Sequence, residues 1–438
     1  MGPIDKTENK ETMTKIYKQG PSFQSIDKID FLPAKEYKLD NQVPVSVIEA
    51  GSQDVTKVDL EFPAGAVQAG IPLLASTTAK LMQEGTARKS SMEISEMIDY
   101  YGAYLSSQTY HHHTVVTILC LSRHLKPMLN LVEEIITNPS FPEHEYDLFL
   151  QKKHEEFLFE SEKIRTIATR RFGEIIFGPG HPYGRQLKAE HFQKISREQV
   201  KTFHQDHYHP AFSRIYVAGQ PGNEIISILN DHFGKNQQPA ESPREEEIPA
   251  PNPSNERFTK VLKEDALQAA LRIGKPLFNN HHPDYIPLQV LNTVLGGYFG
   301  SRLMTSVREQ KGLTYGIGSN IMPLKHSGFW GISSEVAGES RDQAIEAIFE
   351  EFEILRQQPV PEDELTMVKN YMMGELLRNF DGPFSTGDIY RTLKEYDLDY
   401  RFYQQMIDYL QKVRPRDILE TARRYLNPST FRIVSAGA

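Results

Sequence analysis

Two periods alternate along the chain, one typical of strands and one typical of helices. Between Val58 and Phe62 apolar and charged residues alternate, which predicts a strand. Lys38 to Glu49 is typical of a hairpin-like pair of strands. Apolar residues recur at helical spacing in Leu73 to Gln83, Leu125 to Ile136 and Glu143 to Phe159. The pattern therefore predicts a protein that mixes strands with long helices.

Two pairs of segments repeat at almost the same distance along the chain. Pro210 and Pro428 each follow a helix end and precede a short β run that finishes in Ala-Gly. Pro142 and Pro361 each stand between two amphipathic helices, with acidic residues just after them. The separation of the first pair along the sequence is nearly equal to that of the second, which indicates a duplicated domain. Two α+β halves in series predict a two-lobed, clam-shell molecule.

Composition separates the chain into a tail, two halves and a linker. Residues 1–25 are polar and mixed in charge, so we expect a disordered tail. Residues 235–256 hold several prolines and the acidic run Glu245 to Glu247, which predicts an extended linker. Because 438 residues are too many for one ordinary core, we expect two homologous domains, at 26–234 and 257–438.

Charge and cysteine content exclude several classes of function. The formal net charge is −9, so the chain carries no basic footprint for nucleic acid. Its apolar runs are too short to span a membrane and its first residues form no secretory signal, so we expect no membrane partner. The single cysteine, Cys120, lies in the apolar run Val115 to Leu121, which predicts a buried strand residue and no internal disulfide. This composition fits a reducing compartment.

The most informative segment runs from Leu295 to Ser319. A glycine-rich turn leads into a short amphipathic helix that ends at Gly312, and a strand is predicted from Leu313. Arg308 lies late on the helix, and Tyr315 follows it seven residues later, on the strand. A guanidinium and a phenol that converge would supply two donors to a polarised carbonyl oxygen. A structural interpretation stays open, because an Arg there complements the helix dipole and a Tyr on a strand usually packs.

This segment resembles the C-terminal-domain signature of the pitrilysin/insulinase family of zinc metallopeptidases, in its two-domain bacterial form that is similar to the mitochondrial processing peptidase. The resemblance extends over residues 30–438, approximately. It implies an α+β fold of two homologous α/β-sandwich domains, of the LuxS/processing-peptidase-like metallopeptidase type, in a clam-shell arrangement. It also implies that Arg308 and Tyr315 are catalytic residues that bind the carbonyl of the scissile peptide bond.

The same resemblance places the family's zinc motif where this chain lacks the ligands. In the family, a helix of the first domain carries His-x-x-Glu-His, whose histidines bind zinc and whose glutamate acts as general base. Phe62 to Ala66 and Glu84 to Thr86 resemble the segments that flank this helix. Counting back puts Ser76 and Lys80 at the histidine positions and Ala79 at the position of the base. We therefore expect a degenerate zinc site and no metal on this chain.

The remaining site residues of the family map onto a long helix, an edge strand and a loop. A third zinc ligand falls near Glu155 or Glu156, but one carboxylate cannot hold zinc, and a solvated helix face is the simpler interpretation. The implied substrate-binding residues are Ser106, Ser107 and Gln108 on the edge strand and Gly296, Gly297 and Gly300 in the glycine-rich loop. The loop glycines also have a structural interpretation, as a turn that lets two helices pack closely.

Taken together, the resemblance implies one half of a two-chain peptidase. We expect a zinc-free subunit that hydrolyses an extended peptide only together with a homologous, zinc-bearing partner chain. The expected assembly is a heterodimer with zinc on the partner, and a homodimer is the alternative when the chain is isolated. The resemblance places the protein in the bacterial cytoplasm, with the periplasm as the alternative.

Two other functions stay open. Inactive relatives serve as core subunits, so the chain could be a catalytically inactive scaffold of a larger complex. The run His111-His112-His113 could instead bind a metal by itself, since His111 and His113 would share one face of a strand. A polar hairpin end is the simpler interpretation of the three histidines.

Overall fold

A computed structural model describes residues 26, 28–235, 243 and 247–438 of the chain. The predicted tail, residues 1–25, lies outside the described residues, and so does most of the first half of the predicted linker. Two β-sheets with helices packed around them make up the described part. The boundaries predicted at residues 234 and 257 stay a prediction.

The first sheet has six strands in the order β1-β2-β6-β3-β5-β4. These strands are β1 (Lys35–Lys38), β2 (Pro44–Glu49), β3 (Val55–Phe62), β4 (Tyr104–Thr109), β5 (Thr114–Leu121) and β6 (Arg214–Gly219). Strands β2 and β6 run parallel, and the other neighbours are antiparallel. Strand β4 therefore forms one edge of this sheet.

The second sheet has five strands in the order β7-β11-β8-β10-β9. These strands are β7 (Phe258–Leu262), β8 (Gln268–Leu277), β9 (Thr314–Leu324), β10 (Ser327–Ala337) and β11 (Arg432–Gly437). Strands β7 and β11 run parallel, and the other neighbours are antiparallel. The second sheet thus repeats the arrangement of the first, apart from the additional strand β1.

Helices follow the strands in the same order in both halves. The first half contains α1 (Leu74–Leu81), α2 (Ser91–Tyr100), α3 (Leu125–Thr137), α4 (Glu143–Ser161), α5 (Ile164–Phe177), α6 (His191–Lys194), α7 (Arg197–His207) and α8 (Ile225–Leu229). The second half contains α9 (Tyr285–Asn292), α10 (Arg341–Gln357), α11 (Glu362–Asn379), α12 (Gly382–Glu395), α13 (Arg401–Lys412) and α14 (Pro415–Tyr425). The predicted strands and helices are confirmed with small shifts at their ends.

The repeated prolines and glycines of the sequence have the same structural role in both halves. Helices α4 and α11 begin directly after Pro142 and Pro361, with acidic residues in their first turns that complement the helix dipole. Strands β6 and β11 end at Gly219 and Gly437, whose φ angles are +113° and +118°. A side chain at either glycine would meet a backbone carbonyl oxygen at 2.2 Å. Only glycine fits such a position without strain, which explains the shared Ala-Gly ending.

One helix from each half packs on the sheet of the other half. Helix α5 lies against β8 and β11, where Ala168 and Phe172 join Val434 in one apolar cluster. Helix α12 lies against β6 and β2, where Tyr390 packs with Tyr216. The two helices occupy equivalent positions in the sequence repeat, since each directly follows the long helix that begins after a repeated proline. The halves therefore exchange equivalent helices, and each half completes the core of the other.

Each sheet also has a core of its own. Cys120 on β5 is buried among the apolar residues of the first core, as its apolar surroundings in the sequence predicted. Trp330 on β10 is fully buried in the second core, and its indole N–H donates to the side-chain oxygen of Asn292 over 2.8 Å. Pairing the indole N–H removes the cost of burying a polar group there.

Candidate functional site

Helix α1 carries the positions at which the sequence placed a degenerate zinc site. Ser76 and Lys80 lie one helical turn apart and are exposed, so both point away from the core on one face of the helix. Both line a cavity of about 610 Å³, and Glu156 of α4 lines the same cavity. Ala79 is buried, and its carbonyl accepts a hydrogen bond from the Ser107 hydroxyl over 2.8 Å. The structure thus brings Ser76, Lys80 and Glu156 together and places Ala79 behind them.

The side chains around this cavity do not fit a zinc ion. The Lys80 ammonium pairs with Glu84 at 3.0 Å, and the Glu156 carboxylate pairs with Lys153 at 2.7 Å. A hydroxyl, an ammonium and one ion-paired carboxylate are not the thiolate, imidazole and carboxylate set that zinc requires. Among the described residues, no group of three or more His, Cys, Asp or Glu side chains could hold a metal ion.

Strand β4 forms another wall of the same cavity. Ser107 and Gln108 line it beside Lys80. Ser106 lies next to them in the strand, half-buried, in register with Thr117 of β5. The three strand residues named as substrate-binding candidates are therefore adjacent to the degenerate zinc site.

The three consecutive histidines form the turn between β4 and β5, and the rings of two of them contact other side chains. The His112 ring lies 2.7 Å from the Tyr183 hydroxyl. The buried His113 ring has its Nε2 3.3 Å from an Arg391 nitrogen and its Nδ1 3.5 Å from Glu395. Burial, together with the Arg391 cation, lowers the pKa of His113 to about 3, so the ring is neutral. These contacts explain the histidines as a hairpin end held against the second half.

A buried charge cluster beside this hairpin escaped the sequence reasoning. Glu61 of β3 is 8% exposed, and one of its carboxylate oxygens has no hydrogen-bond partner. The same oxygen lies 3.9 Å from Arg391 of α12 and 3.9 Å from His113. Burial raises the pKa of Glu61 to about 7, although the Arg391 and Arg214 cations oppose this. No local signal pointed to this cluster, because Glu61 occupies a charged position of the alternation from Val58 to Phe62 and its partner Arg391 lies in the other half of the chain.

Arg308 lies in a helical segment with wide turns, Met304–Gln310, just before β9. Its guanidinium Nε donates to the Tyr315 carbonyl oxygen over 3.1 Å. The guanidinium also lies 4.8 Å from the centre of the Phe299 ring and 3.5 Å from Glu309. The Arg side chain is therefore held by the main chain at the start of β9, by an aromatic ring and by a carboxylate.

Tyr315 presents its phenol to solvent. The residue is 96% exposed and lines a cavity of about 370 Å³ together with Arg165 of α5 and Arg272 of β8. The contact that joins the two candidate catalytic residues runs from the guanidinium to the main chain of Tyr315. The predicted strand start is confirmed, since β9 begins at Thr314 after Gly312, whose φ is +63°.

The glycine-rich loop is explained by close packing. A side chain at Gly296 would meet the Ser319 main-chain nitrogen at 2.8 Å, because the loop passes directly over β9. A side chain at Gly297 would lie 3.2 Å from the Asn292 carbonyl, and one at Gly300 would meet the Tyr298 ring at 2.8 Å. At Gly296 the absence of a side chain thus lets a helix end approach a strand. This favours the structural interpretation of the three glycines.

These observations define a class of protein: a duplicated α+β chain with the fold expected of a two-domain metallopeptidase. The side chains at its expected zinc site do not fit a zinc ion. Comparison of the sequence with known families agrees. Residues 55–172 match the family described as "Insulinase (Peptidase family M16)", and residues 194–372 match "Peptidase M16 inactive domain". Together the matched segments span more than half of the chain, which belongs to the M16, or insulinase-like, peptidase family.

Individual relatives and solved structures support this assignment. The chain is 26% identical over 300 residues to the "Uncharacterized zinc protease YmxG" of Bacillus subtilis, covering 68% of the chain and 72% of that protein. It is 22% identical over 357 residues to an "Uncharacterized zinc protease" of Rickettsia felis, covering 79% and 83%.

Two crystal structures share the fold over almost the whole chain. The peptidase M16 inactive domain from Pseudomonas fluorescens superimposes with a TM-score of 0.80 at 22% identity, covering 93% of this chain and 98% of that one. A protease from Helicobacter pylori superimposes with a TM-score of 0.81 at 17% identity, covering 93% and 100%. The predicted two-domain α+β fold is therefore confirmed.

No helix within the described ranges has both the length and the apolar character needed to cross a bilayer.

Proposed function

We propose that this chain is the zinc-free subunit of a heterodimeric zinc metallopeptidase. Arg308 and Tyr315 would bind the carbonyl of an extended peptide substrate, and a homologous partner chain would hold the zinc. The observation that carries the proposal is that the two halves differ in their candidate functional groups. The cavity at α1 has Ser76 and Lys80 where metal ligands would stand, whereas Tyr315 offers an exposed phenol 96% open to solvent.

The contacts of Arg308 suit a role as a fixed hydrogen-bond donor. Arg308 donates to the Tyr315 carbonyl through its Nε alone. A guanidinium carries further N–H donors on its two terminal nitrogens. Its nearest carboxylate, Glu309, stays 3.5 Å from one of those nitrogens, longer than a close ion pair. A donor that is already oriented costs no reorganisation when charge develops on a substrate oxygen.

Tyr315→Phe gives the sharpest test, because the exposed phenol can be removed without disturbing the core. The protein would be purified from its native host with its bound partner, and cleavage of an internally quenched, unfolded peptide would be followed. We expect kcat to fall by about 10²–10³, the loss typical of one oxyanion donor. Tyr100→Phe is the matched control, since Tyr100 is 83% exposed on α2, far from β9 in the sequence.

An inactive scaffold is the second candidate function. It is favoured by the bond from Arg308 to the Tyr315 main chain, because this bond gives the Arg a structural role without any substrate. Under this alternative, the purified complex assembles normally, and Tyr315→Phe changes cleavage no more than Tyr100→Phe does. Equal cleavage by the two variants would therefore reject the proposed catalytic role and leave the scaffold.

A further inference from the structure

The cavity at the degenerate zinc site is the larger of the two cavities next to the candidate residues, at about 610 Å³. Its walls come mainly from α1, β4 and α4, and Leu73, Arg170 of α5 and Leu187 complete them. Four cationic side chains line it, Lys80, Lys152, Lys153 and Arg170, against two carboxylates, Glu156 and Glu160. The whole chain has a formal net charge of −9, so this excess of positive charge runs against the overall composition.

Two of the four cations are not neutralised by a carboxylate. Lys80 and Lys153 form ion pairs with Glu84 and Glu156. Lys152 is exposed, and no carboxylate pairs with it in the part of the chain that the structure describes. Arg170 donates to the Ser161 hydroxyl over 2.7 Å and lies 4.7 Å from the Phe157 ring, again without a carboxylate in the described ranges.

The contacts of Arg170 fix its position. One terminal nitrogen is used by Ser161, and the aromatic ring holds the plane of the guanidinium, while its remaining N–H groups stay available. A guanidinium held in this way is suited to bind a carboxylate through paired N–H donors. Lys152 adds a second, exposed positive charge from the neighbouring helix α4.

The strand at the cavity wall supplies the rest of a binding site. Strand β4 is the last of the six strands, so no described strand pairs with its outer edge. Ser107 and Gln108 of this strand line the cavity beside the cations. An exposed edge strand can bind an extended peptide through main-chain hydrogen bonds, whatever the peptide's side chains. The cations then determine which peptide is preferred.

We propose that this cavity binds the carboxylate of an extended peptide that pairs with β4, with Arg170 and Lys152 as the carboxylate-binding residues. Lys80, at a position where a metal ligand would stand, is neutralised by Glu84, so the selectivity for an anion comes from Arg170 and Lys152. The inference deepens the proposed peptidase role, because it names the substrate class as peptides with an acidic residue or a free C-terminus. It does not depend on hydrolysis by Arg308 and Tyr315.

The test is a binding measurement on the full-length chain without any partner or zinc. The probes are four fluorescent peptides of about ten residues, long enough to pair along a whole edge strand. They share one sequence and carry either Glu or Gln at the acidic positions and either a free or an amidated C-terminus. Fluorescence polarisation gives the dissociation constant of each. We expect the fully neutral peptide to bind at least about tenfold more weakly than the fully charged one.

The two intermediate peptides identify the source of the carboxylate. If replacing Glu by Gln abolishes the preference, acidic side chains are recognised, and if amidation abolishes it, the C-terminus is recognised. Either result supports the proposal. Equal binding of all four peptides, or no binding of any of them, overturns it.

Charge reversal locates the site. Lys152→Glu should weaken binding of the charged peptide at least about tenfold and should leave the neutral peptide unaffected. Lys126→Glu is the matched control, because Lys126 is also exposed on a helix but does not line the cavity. If both variants weaken binding equally, the effect is one of net charge, and the proposed site is wrong.

Binding by Tyr315→Phe separates this inference from the proposed function. The variant should bind the charged peptide as the unmodified chain does, because Tyr315 lines a different cavity. Loss of cleavage in the complex with unchanged peptide binding therefore supports both statements independently. Loss of binding in Lys152→Glu alone supports the carboxylate site even if the catalytic role of Tyr315 is rejected.

Discussion

Lys80 illustrates how an exposed residue can remove a metal site without affecting the fold. The residues that hold α1 in place are its buried ones, such as Leu74, Thr77 and Thr78. Ser76 and Lys80 occupy the exposed face and contribute little to packing. The helix therefore keeps its position in the wall of the cavity whatever those two positions carry. They decide whether the cavity can hold a metal ion, because an ammonium and a hydroxyl in place of two histidines exclude zinc.

Glu61 makes the stability of this protein depend on pH. Its pKa in the folded chain is about 7, mainly because of burial, and its ordinary value is 4.5. Because the folded value is the higher one, its contribution to stability is fully present below pH 4.5 and is lost as the pH rises through 7. The ionised carboxylate then costs about 3 kcal/mol of folding free energy.

Glu61→Gln should therefore be more stable than the unmodified chain at pH 8, with the difference shrinking towards pH 5. Arg391 does not become unpaired in this variant, because Asp388 remains 4.0 Å from its guanidinium. Urea unfolding midpoints across this pH range would show the effect. Glu346→Gln, at an exposed position of α10, is the control, and its stability relative to the unmodified chain should not change with pH in this way. A variant that is less stable at pH 8 would mean that the nearby cations outweigh burial.

The ends of β6 and β11 show why the duplicated elements share one sequence ending. Gly219 and Gly437 both turn with positive φ and both pass within contact distance of a neighbouring strand's carbonyl. A residue with a side chain cannot meet either requirement without strain. Equivalent strands in the two halves therefore end at the same kind of residue for the same steric reason.

Gly437→Ala should destabilise the chain by about 3 kcal/mol or more, because the new methyl group meets a carbonyl oxygen and φ is left-handed. Gly374→Ala is the matched control within helix α11. A side chain there meets nothing within 4 Å, and alanine in a helix interior is favoured over glycine by about 1 kcal/mol. Urea unfolding of both variants should shift the midpoint in opposite directions. A neutral Gly437→Ala would show that the strand end relaxes freely.

At the scale of the whole molecule, the exchange of α5 and α12 makes the halves depend on each other. Phe172 of α5 packs with Val434 of the second sheet, and Tyr390 of α12 packs with Tyr216 of the first. The Lys57 ammonium of β3 also lies 2.5 Å from Asp388 of α12. An isolated half would expose the apolar face of its exchanged helix and would leave its own sheet uncovered.

Separate expression of residues 26–234 and 257–438 should therefore give two fragments that do not unfold cooperatively alone. Mixing or co-expressing them should restore one complex with the thermal unfolding of the intact chain, because each supplies the helix that the other lacks. Size-exclusion chromatography and circular dichroism would measure both properties. If each fragment is monomeric and melts cooperatively by itself, the exchanged helices contribute little to stability.

Much of this architecture can be inferred from the sequence because the relevant signals are local. The strand of alternating residues at Val58 to Phe62, the amphipathic helices and the buried Cys120 all follow from periodicity, and the structure confirms them. The nearly equal spacing of the two pairs of matching prolines indicates the duplication. The chemistry of Ser76 and Lys80 excludes zinc without any coordinates, since ligand atoms are a property of residue type.

Contacts between distant residues were decided only by the tertiary structure. Periodicity can show that a helix has an apolar face, but it cannot show that α5 and α12 each cover the other half's sheet. The pairing of Glu61 with Arg391, the gathering of Lys152, Arg170 and β4 around one cavity, and the bond from Arg308 to the main chain of Tyr315 have the same origin. The sequence by itself determined which elements and which functional groups exist, because these depend on neighbouring residues. The fold alone determined which of them meet, because that depends on packing between segments that lie far apart in the chain.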